Sequence, residues 1–141
     1  MSDENSFVLD GSVTMVWGFE DETDAYAVAV LERMPDLRAH VPSHWPLEVA
    51  NALIVGERRR IKPADAARFL AILEGFPIAV DDETAARAWS DTMHLSRAHN
   101  LSSYDAAYLE LAIRLGLPLA ALDGKLKAAA AAVGVPLYLA T

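Results

Sequence analysis

The sequence predicts an α/β fold: one domain over residues 1–141, with a central parallel β-sheet of about five short strands flanked by helices. Three observations lead there. Short apolar runs alternate with longer helical stretches, which implies right-handed crossovers and a sheet covered on both faces. The chain has 141 residues, of which 53% are hydrophobic, enough for a single core. Acidic residues stand where predicted strands give way to helices, the edge at which open parallel sheets place their sites.

The elements follow in order. Phe7-Val8-Leu9 is a short buried strand ending at Asp10-Gly11-Ser12. Val13 to Trp17 is a brief helix, and Asp24 to Met34 a longer one closed by Pro35. Arg38 to Val41 is a strand. A helix runs from about Pro46 to Arg59, with proline suited to its first turn. Another runs from Pro63 to Glu74 and stops at Gly75. Pro77 to Val80 is a strand, Asp82 to His99 a long helix, and Ser102 to Leu115 a helix closed by Gly116 and Pro118. Leu119 to Leu122 is a strand, Lys125 to Val133 a helix, and Leu137 to Leu139 a last strand. The alanine run at 128–132 is strong helix former.

Composition narrows the function. With no cysteine, disulfides, zinc–thiolate sites and thiol nucleophiles are excluded. The N-terminus, Met1-Ser2-Asp3-Glu4-Asn5, lacks the basic and apolar regions of a signal peptide. The apolar run from Ala128 to Ala140 is too short to span a bilayer. The expectation is a cytoplasmic protein with no membrane partner. A net charge of −8 argues against binding nucleic acid through a broad basic face. It leaves room for a nuclease, because bound metal supplies positive charge at a phosphate.

Four acids fall at strand–helix junctions: Asp10, Glu48, Asp105 and Asp123. Together they make an oxygen-ligand set for a hard divalent cation, Mg²⁺ or Mn²⁺. Each has a plainer role. Asp10 and Asp123 can cap helices, and Glu48 can complement a helix dipole. Asp105 completes a capping box with Ser102. Against the plain role of Glu48, its helix is apolar nearly all round, which predicts burial and a partner for the acid. Asp81-Asp82-Glu83 reads as helix capping. His40, His44, His94 and His99 match no metal spacing and read as surface or packing residues. Trp17, Trp45 and Trp89 read as core. The basic run at 57–62 reads as a solvated helix end.

Four segments in this order resemble the PIN-domain ribonucleases, in particular the VapC-type toxins of toxin–antitoxin pairs. They are Val8-Leu9-Asp10-Gly11-Ser12; Pro46-Leu47-Glu48-Val49-Ala50-Asn51-Ala52-Leu53; Leu101-Ser102-Ser103-Tyr104-Asp105-Ala106-Ala107-Tyr108-Leu109; and Leu122-Asp123-Gly124-Lys125-Leu126. The resemblance implies a PIN-like fold and a metal-dependent endoribonuclease. Asp10, Glu48, Asp105 and Asp123 would be the acidic quartet holding Mg²⁺ or Mn²⁺, with Ser12 and Ser103 behind them. It also implies an RNA substrate, an antitoxin partner and a homodimer. One departure is Ala121, where the family often has a threonine or serine.

Competing functions are a non-enzymatic PIN-like protein-binding module and an aspartyl-phosphate phosphatase. The phosphatase needs Asp-x-Asp on its first strand, and here the earlier position is Val8. A P-loop or dinucleotide enzyme is disfavoured, since no glycine-rich loop follows a strand.

Overall fold

A computed structural model describes residues 5–19 and 23–139. The N-terminal residues 1–4, on which most of the signal-peptide reading rests, lie outside them. Strand β1 (Ser6–Leu9) leads into α1 (Gly11–Gly18) and α2 (Ala25–Arg33). A 3₁₀ turn (Met34–Asp36) enters β2 (Arg38–Val41), followed by α3 (Trp45–Glu57) and α4 (Pro63–Glu74). Then come β3 (Ile78–Val80), α5 (Thr84–Arg87), a π-helical segment (Ala88–Thr92) and α6 (Met93–His99). The chain continues through α7 (Ser103–Leu115), β4 (Leu119–Ala120) and α8 (Gly124–Ala132).

The four strands pair in parallel in the order β3-β2-β1-β4. The connections step outward from β1 to β2 and β3, then return to the other side of β1. The sheet therefore has its topological switch point between the carboxyl ends of β1 and β4, the crevice where open α/β sheets bind ligands. Both faces are covered, so β1 is buried along its whole length, as its unbroken apolar run requires.

The expected last strand is reduced to a single parallel bridge between Leu119 and Leu137. The cause is its neighbour. With β4 only two residues long, Leu119 alone is left to pair, donating to the Pro136 carbonyl at 2.9 Å and accepting from the Tyr138 N–H at 2.8 Å. Tyr138 instead stacks on Phe7, with centroids 4.3 Å apart.

Helix α7 forms the densest part of the core: every residue from Ala106 to Ala112 is buried. It ends at Gly116, whose positive φ of 67° suits glycine and lets its N–H reach the last carbonyls. Buried Glu110 is neutralised within the fold by Arg114, whose Nε lies 2.8 Å from it. The same guanidinium bonds both oxygens of Asp81, at 3.0 and 2.8 Å, tying α7 to the end of β3. The Asp81-Asp82-Glu83 run, expected to cap a helix, is also an ion-pair anchor: Asp81 accepts from Thr84 Oγ1 at 2.8 Å at the head of α5 as well as from Arg114, while Glu83 makes no side-chain cap bond.

Two packing expectations fail. Helix α3 is not buried all round: Val49, Leu53 and Gly56 face the core, but Leu47 is 73% exposed, with Ile54 and Val55 also exposed. Trp89 is 91% exposed rather than core. It sits in the π segment, where the extra residue per turn changes which side chains face inward; Thr92 is buried there instead. Trp45 is buried as expected, and its Nε1 donates to Thr14 Oγ1 at 3.1 Å. That bond locks the start of α3 to α1. No helix among the described residues is long and apolar enough to cross a membrane.

Candidate functional site

Asp10 ends β1 and caps α1, with its carboxylate accepting from the Ser12 N–H at 3.3 Å and from the Ser12 hydroxyl. Ser12 Oγ in turn accepts from the Leu122 N–H at 3.1 Å. One serine thus fastens the loop after β4 to the loop after β1, across the switch point. Asp10 is 4% exposed. Burial, with the charges of Asp105 and Glu48, pushes its carboxyl up from 3.8 to about 6, against the opposing pull of the Ser12 bonds.

Glu48 projects from the first turn of α3, whose start is set by Pro46 and the Trp45–Thr14 bond. Its Oε1 accepts a short hydrogen bond from the Tyr108 hydroxyl, and His44 Nε2 lies 3.4 Å from the same oxygen. His44 Nε2 also reaches the Tyr104 carbonyl at 3.1 Å. Both neighbours of that nitrogen are acceptors, so Nε2 carries the proton. The Tyr108 hydroxyl is held protonated by burial and by Glu48. Gly11 makes room for the pair: a Cβ there would lie 3.3 Å from the Tyr108 hydroxyl oxygen and 3.5 Å from Glu48 Oε1.

Asp105 lies in the first turn of α7, its N–H bonded to Ser102 Oγ at 3.1 Å. Burial first, and then the charge of Asp123, raises its pKa. Asp123 caps α8 by accepting from the Leu126 N–H at 2.9 Å. Three of the four acids therefore sit at helix caps or capping boxes, as their plainer roles required. The two roles coexist.

All four acids line one concavity of about 390 Å³, together with Gly11, Ser12, Met15, Asn51 and Ala52. No lysine or arginine is among those lining residues. The carboxylates do not converge tightly. Among the described residues, the only three acids whose ligand atoms all lie within 4.8 Å of one another are Asp81, Asp82 and Glu83. That tighter cluster already has counter-charge: Arg114 holds Asp81 and lies 3.4 Å from Glu83, and Arg87 lies 3.2 Å from Glu83. Burial opposes ionisation of Asp81, but the bonds from Arg114 and Thr84 prevail and lower its pKa. The quartet's hollow is lined by no arginine or lysine, and its carboxylate oxygens stand further apart. An oxygen-only donor set with unneutralised negative charge fits a hard divalent cation, which commonly keeps several waters and takes only one or two carboxylates directly.

Sequence reading located the four acids and Ser12 at this cavity. It did not place His44, which reads as a packing residue until the fold brings it beside Glu48, nor Tyr108 and Asn51. The i, i+4 spacing of His44 and Glu48 was the available signal, obscured because α3 begins at Trp45 with His44 as its cap. Ser103 lies outside the acidic cavity and lines a neighbouring cleft; Ser102 is the serine bonded to Asp105. Ala121 is buried.

The PIN domain family model matches residues 7–132. Among solved structures, the crystal structure of Mycobacterium tuberculosis VapC20, a sarcin-ricin loop cleaving toxin, aligns with a TM-score of 0.60 at 20% identity, covering 87% of this chain and 94% of that one. Comparison with curated proteins gives no match.

Proposed function

The chain belongs to the PIN domain family, and on that premise we propose that it is a metal-dependent endoribonuclease, the toxin of a toxin–antitoxin pair. The observation that carries this reading is the cavity at the switch point, which four carboxylates from four separate segments line with no lysine or arginine among them. Asp10, Glu48, Asp105 and Asp123 would hold Mg²⁺ or Mn²⁺. A bound divalent ion supplies charge neutralisation at a phosphodiester and a water of lowered pKa.

The chain's own residues do the rest. Ser12 orients Asp10 and ties both sides of the crevice together. Tyr108 and His44 engage one oxygen of Glu48, which leaves the acceptor capacity of Oε2 for a ligand. The Ser102 cap fixes the start of α7 and with it Asp105.

RNA as the substrate is supported by the fold shared with VapC20, a toxin that cuts the sarcin-ricin loop. The net charge of −8 suits a basic antitoxin. The exposed apolar residues of α3 suit a homodimer face. A toxin of this kind acts in the cytoplasm.

The purified protein should cleave RNA with Mn²⁺ or Mg²⁺ and stop with EDTA. Asp10→Asn or Asp105→Asn should slow cleavage by at least ~10²-fold, about 2.7 kcal/mol of barrier. Undiminished cleavage by either variant would refute the assignment. Sedimentation of the free protein, and nuclease assay of its complex with the genomic neighbour, test the dimer and the antitoxin.

A further inference from the structure

Helix α3 brings more than Glu48 to the acidic hollow. Glu48, Asn51 and Ala52 all line it. At spacings of three and four residues they share one face of the helix. Glu48 stands in the first turn, so the hollow lies at the start of α3. Side chains on a helix lean back over the turn before them, which carries the Asn51 amide toward Glu48. Asn51 is exposed, whereas Asp10 is buried. Its amide is therefore open to a ligand in the hollow.

A count of donors singles this residue out. Of the lining side chains, the four ionised carboxylates only accept, and Met15 and Ala52 have no N–H or O–H. The Ser12 hydroxyl is committed at both ends, donating to Asp10 and accepting from the Leu122 N–H at 3.1 Å. Asn51 is left as the one side chain there with an N–H to give. A phosphodiester has the complementary need: its non-bridging oxygens are acceptors without a proton. A metal ion can engage one of them, but the other would face carboxylates unless a donor stands among them. The fold itself makes no use of the amide. The Asn51 side chain has no hydrogen bond among the described residues. Asparagine is also a poorer residue than alanine for a helix interior, because its side chain competes for backbone groups.

We propose that Asn51 is a substrate-binding residue whose amide N–H donates to a non-bridging oxygen of the scissile phosphate. It holds the anion from the α3 side of the hollow and takes no part in holding the metal. The inference rests on the endoribonuclease reading and deepens it by naming a contact between protein and phosphate outside the acidic quartet.

The test compares wild type with Asn51→Ala and Asn51→Asp. Titration calorimetry with inorganic phosphate, on protein saturated with Mn²⁺, reads the contact without catalysis. Phosphate affinity should fall about tenfold or more in Asn51→Ala, as for a lost hydrogen bond to a charged acceptor. It should fall further in Asn51→Asp, which puts a negative charge where the donor stood. Mn²⁺ affinity should be unchanged in Asn51→Ala and no weaker in Asn51→Asp. RNA with one phosphorothioate at the cleaved position adds a second readout. Wild type should lose kcat/KM with one diastereomer, and Mn²⁺ in place of Mg²⁺ should not restore it; in Asn51→Ala that loss should vanish. With EDTA, Asn51→Ala should melt about 2 °C higher than wild type, and sedimentation should show the same oligomeric state. Unchanged phosphate affinity would overturn the proposal. So would weakened Mn²⁺ binding in Asn51→Ala, which would make the residue a metal ligand. A lower melting temperature or an altered oligomeric state would make it structural and overturn it too. If wild type cleaves no RNA, the nuclease reading fails by itself and the phosphate titration still decides Asn51. If wild type binds no phosphate with Mn²⁺ present, the Asn51 proposal fails whatever its activity on RNA.

Discussion

Replacing Asp10 by asparagine should make the metal-free protein more stable while slowing the proposed RNA cleavage. The carboxyl is buried, faces the charges of Asp105 and Glu48, and has its pKa lifted from 3.8 to about 6. At about 1.4 kcal/mol per pH unit, that displacement means ionised Asp10 costs the folded state about 3 kcal/mol. The sign is opposite to that of an ordinary paired aspartate. Between about pH 4 and 6 the folded chain binds more protons at this position than the unfolded chain, so stability falls as pH rises through that window. Above it the full cost is present; below it there is none. Asparagine is uncharged at every pH, and its Oδ1 still accepts from Ser12, so the cap survives. Urea unfolding with EDTA should show Asp10→Asn more stable than wild type by up to ~3 kcal/mol at pH 8. For a chain of this size that is roughly 6–10 °C in Tm. The two curves should meet near pH 4. A variant less stable than wild type at pH 8 would mean that Asp10 is held mainly as a helix cap, and the picture of unrelieved negative charge would be wrong.

Three further outcomes follow from the same geometry. Mn²⁺ should raise Tm by binding the folded state alone, with about 2.7 kcal/mol gained at 100 times Kd; calorimetry with and without the ion, repeated on Asp10→Asn, should show the gain shrink in the variant. Tyr108→Phe removes the donor to Glu48 in a buried position. It should cost about 2 kcal/mol in stability and weaken Mn²⁺ binding in a fluorescence-detected titration, and an unchanged Mn²⁺ affinity would show that the tyrosine does not position Glu48. Arg114→Met strands buried Glu110 and leaves Asp81 unpaired, which should destabilise by about 3–5 kcal/mol; adding Glu110→Gln should recover part of that loss, as double-mutant unfolding curves would report.

The fold was legible because its determinants are local. Pro63, Gly75, Gly116 and the Asp24 and Ser102 caps each mark a helix end where the structure has one. The failures are non-local. Whether the last apolar run pairs as a strand depends on the length of β4, and nothing between residues 137 and 139 encodes that. Which apolar residues of α3 meet the core depends on where α1 and the sheet lie, so Leu47 and Val49 look alike in sequence and have opposite fates. Trp89 was misread because π geometry changes the periodicity on which an inward or outward assignment rests.

The acids were legible for a different reason: each has a local role at a helix start, but four of them recur at strand–helix junctions. A carboxylate with no counter-charge, buried at the end of a strand, is disfavoured by the folding of this chain alone. The same fold shows what relieved acids look like, since Glu110 and Asp81 share the guanidinium of Arg114. Asp10 has two acidic neighbours and a serine instead. A sequence that could have spared itself that cost with asparagine keeps an acid there, and keeps three more around the same hollow. A bound divalent cation, as proposed above, would relieve their mutual repulsion. This excess of negative charge points to chemistry at the switch point; the helix caps account for the position of three of the acids but not for their being gathered around one hollow that no lysine or arginine lines.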